Sequence, residues 1–261
     1  MIILKTKEEV DLIREGGKKI ASVLRSLSDL IKPGVSTSDL EKLARKLIDE
    51  AGGRPSFLGY RSGRKGERFP TALCVSINDE VVHAPAFPER FLADGDIVSI
   101  DLGMEYPFVS GKSGYYTDMA ETFAVGNISR DAKKLLNITK ECLDLAIAQV
   151  KPGNNLNNIA RAVQEHAEKN GFSVVRDLVG HGVGKDVHED PQIPNFVVPA
   201  NEAIILQPGM VIAIEPMINL GRPEVKTINS FTIATKDGSL SAHFEHTIAV
   251  TAWGCEVMTR I

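Results

Sequence analysis

Cysteine is scarce and scattered in this chain: Cys74, Cys142 and Cys255 are three in number and far apart. An odd, dispersed set supplies neither a disulfide framework nor a zinc knuckle, and it favours a reducing compartment. Apolar runs reach the length of strands and fall well short of a membrane span. The first residues, MIILKTKEEV, pass straight into a charged amphipathic segment without the pattern of a signal peptide. Positive charge is not in excess either, because the formal net charge is −4, and that leaves no electrostatic footprint for nucleic acid. These absences point to a cytoplasmic protein that binds neither membrane nor nucleic acid directly. What is present is ordinary for a soluble globular chain of 261 residues, with 43% hydrophobic and 25% charged residues.

The chain repeats itself. Lys32-Pro33-Gly34 precedes an amphipathic pattern with apolar Leu40, Leu43, Ala44, Leu47 and Ile48, closed by Ala51-Gly52-Gly53. Lys151-Pro152-Gly153 precedes Ile159, Ala162, Val163 and Ala167, closed by Asn170-Gly171. Each copy reads as a turn, a helix and a glycine stop, and each follows a longer helical stretch, roughly 6–31 and 129–150. The strand patterns repeat as well, since Gly95–Asp101 parallels Gly209–Glu215 with an acid closing each, and Thr122–Val125 echoes Thr247–Val250. KPG is a common turn and either match alone would mean little. Two matches in the same order predict a single domain of two related α+β halves, about residues 1–125 and 126–261. Helices followed by blocks of strands predict a mainly antiparallel sheet covered by helices.

Four acids lie inside strand-like apolar stretches: Asp101, Asp118, Glu215 and Glu245. A carboxylate held against a core is costly unless something neutralises it. Together with His181 they would hold two divalent cations with near-complete charge neutralisation. For Asp101 or Asp118 alone, the alternative is a salt bridge to a lysine or arginine from elsewhere. His181 lies in the glycine-rich run Val179–Gly184, and His188 follows in Asp186-Val187-His188-Glu189. Two histidines flanking such a run, in a chain with six, mark a candidate site. Pro216 after Glu215 cannot donate to a ladder, so Glu215 is expected at a strand end or on an edge. Alternation puts Glu245 and His243 on one face and His246 on the other. His83, in Asn78–Pro85, is a further candidate, and His166 reads as a solvated helix residue.

Ser76-Ile77-Asn78, Val82-His83, Asp96–Asp101, Thr117-Asp118, Gly180–Gly184, His188–Pro191, Ile214–Met217 and Glu245-His246-Thr247 together resemble the type I methionine aminopeptidases, in order and over nearly the whole chain. That resemblance implies the pseudo-two-fold "pita-bread" α+β fold. It implies that Asp118, His181, Glu215 and Glu245 hold one divalent ion and that Asp101, Asp118 and Glu245 hold another. The ions would be Co, Mn, Fe or Zn, with a water or hydroxide between them as nucleophile. It makes Glu215 the proton shuttle, has His188 and His83 bind the substrate carbonyl, its oxyanion and the scissile amide, and places the substrate's free α-amine near Asp101. The matching methionine pocket is Phe57, Tyr60, Phe69, Cys74, His83 and Phe231, although Phe57, Phe69 and Phe231 would equally suit ordinary core packing. The implied activity is removal of initiator methionine ahead of a small second residue. Its partners would be the N-termini of nascent polypeptides, at the ribosome, and the enzyme would be a monomer.

The chain departs from that pattern in three places. The link between Asp101 and Asp118 is longer by about the piece Pro107–Lys112, and a slipped register there would make Glu121 the ligand in place of Asp118. His243 stands where Gln is usual, placed to tune the metal as a donor. Several pocket aromatics are Phe where Tyr or Trp is common. Three rival readings carry their own expectations. A prolidase would bring a further N-terminal domain, a catalytically silent relative would lack ligands, and a di-iron oxidase would carry Glu-x-x-His on helices.

Overall fold

A computed structural model describes residues 1–61 and 66–261. The chain begins with α1 (Lys7–Ser28), α2 (Thr37–Glu50), β1 (Arg54–Pro55), β2 (Leu73–Ile77), β3 (Glu80–Val82), β4 (Ile97–Tyr106) and β5 (Tyr115–Ala124). It continues with α3 (Arg130–Ala148), α4 (Leu156–Lys169), β6 (Ser173–Val174), β7 (Gly180–Gly182), β8 (Glu189–Ile193) and β9 (Val211–Ile214). Short strands complete it: β10 (Met217–Asn219), β11 (Val225–Thr227), β12 (Ile233–Thr235), β13 (Ser241–His243), β14 (Glu245–Val250) and β15 (Cys255–Val257).

The helices start where the chain offers a cap. Thr6 and Glu9 form a reciprocal capping box at α1, and the Ser36 and Ser129 side chains accept from Asp39 N and Ala132 N at α2 and α3. Both KPG turns place their glycine at φ +89°, where a Cβ would be strained. Equivalent backbone bonds recur around them: Gly34 N donates to Leu92 O as Gly153 N does to Leu206 O. Gly95 N likewise donates to Val125 O, and Gly209 N to Val250 O.

The main sheet runs β1-β4-β5-β14-β9-β7-β8, with β2 joined to β4 and β15 to β14, and its pairings are antiparallel. Side chains alternate across it with period two. Val98, Ile100 and Leu102 of β4 face the helices α1 and α2, packing with Ile20, Leu24, Leu40 and Ile48. Ile212 and Ile214 of β9 and Ile248 and Val250 of β14 do the same against Leu135, Cys142, Ile159 and Val163 of α3 and α4. Burying each such aliphatic side chain contributes about 1.5–3 kcal/mol. The other face, carrying the odd positions of β4, β9 and β14 and the even positions of β5, mixes the candidate site's acids with apolar residues such as Val211 and Ala249, which pack with Ile13, Val183 and Met258.

β4 and β5 pair without slippage from Ile97↔Ala124 to Tyr106↔Tyr115. The added piece therefore only lengthens the turn, with a bridge between Val109 and Lys112 at its tip. In this register Asp101 lies opposite Ala120 and Gly103 opposite Asp118, so both acids point to the same face. Glu121 lies opposite Ile100, on the helix-covered face.

Candidate metal centre

Five neighbouring strands of the main sheet each deliver one side chain to a common point. Asp101 comes from β4, Asp118 from β5, Glu245 from the start of β14, Glu215 from the residue after β9, and His181 from β7. Glu215 stands at a strand end rather than an edge, because β9 lies between β14 and β7. Its carbonyl accepts from Asn195 Nδ2 at 2.9 Å, which fixes the backbone where the strand stops.

Asp118, His181 and Glu245 each offer a donor atom within 4.8 Å of the others. His181 Nε2 lies 3.4 Å from Asp118 Oδ2 and 3.6 Å from Glu215 Oε1. His181 Nδ1 donates to Gly182 O at 2.9 Å, so the Nε2 lone pair faces the carboxylates. Thr247 Oγ1 sits 2.8 Å from Asp118 O and 3.1 Å from Asp118 Oδ1, and accepts from Asp118 N. Among the described residues, the ion-pair partners of Asp118 and Glu215 are histidines, not lysines or arginines.

Electrostatics give the same account. Burial, with the neighbouring acids adding to it, pushes the Asp101 carboxyl up to about 7 and that of Glu215 to about 8. Burial also raises Asp118 and raises Glu245 well above the usual carboxylate range. Four carboxylates that burial drives toward neutrality, beside one imidazole lone pair, form a donor set suited to divalent cations. Glu121, half-buried, is turned away toward Lys140 and takes no part.

The acids close the floor of a cavity of about 70 Å³, whose walls include Phe57, Tyr60, Phe69, Cys74, His83 and His188. Phe231 stands one step behind, edge-on to Phe69 with ring centroids 5.4 Å apart. Burial, followed by the charge of Asp101, lifts the Cys74 thiol well above its ordinary value, so it is no thiolate. His188 sits edge-on to His181 at 4.4 Å between ring centroids, and its Nδ1 lies 2.7 Å from Tyr60 Oη. Burial lowers its pKa to about 3 and that of His83 to about 4, which leaves both rings neutral near pH 7. His83 has φ +60°, a strained conformation for a non-glycine residue and one that clusters at functional sites.

Several contacts that hold this arrangement have no counterpart in the sequence reading. Thr247 was visible within Glu245-His246-Thr247, but nothing in the pattern marked its grip on Asp118. The loop carrying His188 is braced by a buried ion pair, Lys5 to Glu189, whose side chains are 1% and 4% exposed. Glu189 Oε1 also accepts from Asp186 N at 3.1 Å, and Lys185 Nζ pairs with Glu9 at 2.8 Å. His166 pairs with Glu141 on the helical face, far from the cavity lining, and His246 bonds Thr259 Oγ1 on the opposite side of β14.

A cluster of buried carboxylates and an imidazole on a helix-backed antiparallel sheet, floored beneath an apolar cavity, defines a metallohydrolase. Metallopeptidase family M24 matches residues 11–252. Methionine aminopeptidase 1 of Bacillus subtilis is 47% identical over the full length of both chains. The crystal structure of the Thermotoga maritima methionine aminopeptidase superposes with a TM-score of 0.91 at 40% identity, covering all of both chains. The chain belongs to metallopeptidase family M24, among the methionine aminopeptidases, and is a metal-dependent aminopeptidase of the pita-bread fold. The Xaa-Pro dipeptidase of Bacillus anthracis shares that fold, with a TM-score of 0.77 at 22% identity, but this chain covers only 62% of it. None of the helices among the described residues is long and apolar enough to cross a membrane.

Proposed function

We propose that the chain removes the initiator methionine from nascent polypeptides whose second residue is small, working in the cytoplasm as a monomeric, single catalytic domain of two related halves. The observation that carries this reading is the convergence of three buried acids, the mostly buried Glu215 and His181 beneath an aromatic cavity, with no lysine or arginine paired to them among the described residues. Asp118, His181, Glu215 and Glu245 would hold one ion, and Asp101, Asp118 and Glu245 the other, with Co, Mn, Fe or Zn as candidates. When bound, the ions supply charge neutralisation and an acidified water as nucleophile.

The protein's own residues do the rest. Glu215 accepts a proton from the attacking water and returns it to the leaving amine. His188 and His83, neutral near pH 7, offer N–H donors to the carbonyl oxygen as it gains charge and to the scissile amide. The free α-amine of the substrate lies on the Asp101 side, which restricts cleavage to the first peptide bond. Phe57, Tyr60, Phe69 and Cys74, with Phe231 behind Phe69, form a soft, apolar slot for a thioether.

A peptide panel assayed after chelation and reconstitution with single metals tests the proposal. Met-Ala-Ser should be cleaved once, after methionine, and only with metal restored. Cleavage confined to Xaa-Pro peptides would overturn it in favour of a prolidase.

A further inference from the structure

His243 ends β13, two positions before Glu245, and its backbone is locked at both ends by one hydroxyl. His243 N donates to Thr122 Oγ1 and Thr122 Oγ1 lies 2.8 Å from His243 O, while Ser99 Oγ holds Thr122 at 2.8 Å. The residue is 2% exposed, yet neither ring nitrogen has a hydrogen-bond partner among the described residues. An imidazole buried with both nitrogens unpaired costs free energy, and a native structure that keeps one needs a reason for it.

The ring is aimed at the candidate metal centre. His243 Nε2 lies 3.5 Å from Glu215 Oε2, while His181 Nε2 lies 3.6 Å from Glu215 Oε1. Glu215 thus stands between two imidazoles, one for each of its oxygens. The two sides are not equivalent. The Nδ1 proton of His181 is committed to Gly182 O, so His181 presents a lone pair to Oε1, and two electron-rich atoms face each other there. A cation between them reconciles that side. Among the described residues His243 has no acceptor at Nδ1, so its single proton is free to sit on Nε2 and point at Oε2.

We propose that His243 is a positioning residue, which donates Nε2–H to Oε2 of Glu215 and so turns Oε1 toward His181. The inference rests on the metal reading above. A closure of about 0.5 Å brings the pair within ordinary hydrogen-bond distance. Carboxylate ligands held by such outer partners lose roughly 10–100-fold in metal affinity when the partner is removed.

Calorimetric titration of metal-free protein with Mn(II) tests this, using His243→Leu and His243→Gln beside the unaltered chain. His243→Leu should bind about 10–100-fold more weakly, and His243→Gln, which restores an N–H donor, should recover most of the loss. A wild-type chain that binds no divalent ion overturns the metal reading, and this inference with it. Binding in wild type but unchanged binding in His243→Leu overturns this inference alone. Nitrogen-15 NMR of the zinc-loaded wild type needs no variant. It should find His243 neutral and protonated at Nε2; a proton on Nδ1, or a His243 nitrogen bound to zinc, would refute the role.

Discussion

The metal-free enzyme should lose stability as pH rises from about 7 to 8, and metal should reverse that loss while expelling protons. The acids of the centre titrate high because they are buried together, with Asp101 near 7 and Glu215 near 8. In the unfolded chain both would be ionised above about pH 5. The folded state therefore binds more protons than the unfolded state across this window, and stability falls with rising pH. Each proton so held contributes a slope of about 1.4 kcal/mol per pH unit, so with Asp101 half-ionised and Glu215 mostly protonated the two acids give about 2 kcal/mol per unit near pH 7 and less as each ionises. The buried histidines act oppositely: His83, His188 and His246 sit at about 4, 3 and 4, below their unfolded value. Unfolded histidines titrate near 6.5, so their contribution is still growing there, offsets most of the carboxylate slope at that pH and is nearly complete by about pH 7.5, which leaves the net loss of stability to the window from about 7 to 8. Urea unfolding in chelator at half-unit intervals measures the slope. Titration with Mn(II) at pH 7 in buffers of different protonation enthalpy should find roughly one to two protons released per loaded site. A metal-free stability that is flat or rising between pH 7 and 8, or metal uptake without proton release, would refute the account.

Four substitutions probe the centre and the scaffold around it. Asp118→Asn should cost at least about 100-fold in metal affinity, more than the loss of an outer partner, while Glu121→Gln leaves it unchanged; calorimetry of both settles which acid of β5 binds metal. Lys5→Met strands the Glu189 carboxylate in a buried site, so the unfolding free energy should drop by about 3–5 kcal/mol. Because that loop carries His188 and no metal ligand, kcat should fall with it while Mn(II) affinity holds. Gly103→Ala would drive a Cβ against Ser56 and to 2.7 Å from the Phe57 ring, so it should cost about 1–3 kcal/mol in chemical denaturation and raise KM more than it lowers kcat.

Much of the site can be read from the chain because its acids interrupt strands of period two. Val98, Ile100 and Leu102 bury toward the helices, and Asp101 must then point the other way. The duplicated KPG turns and their glycine stops reveal the helices for the same reason: a left-handed residue and an apolar stripe both leave a local trace. What leaves none is pairing at a distance. Lys5 meets Glu189 across 184 positions and Tyr60 meets His188 across 128, with no periodicity to announce either. The choice between Asp118 and Glu121 shows the boundary well. Both lie on the same strand at odd separation, so they face opposite sides, but only the register with β4 says which side holds the cluster. Phe231 shows it from the other direction, since an aromatic residue at a matching position supports Phe69 rather than reaching the cavity itself.

The donors are spread over five adjacent strands, with Asp101 on β4 and Glu245 on β14 separated by most of the second half of the chain. No fragment short of the closed sheet carries a complete set. On the proposed ligand set, then, the site is complete only once β14 has docked between β5 and β9. Metal affinity would then serve as a readout of sheet closure, because a chain lacking that last docking step presents only part of the donor set.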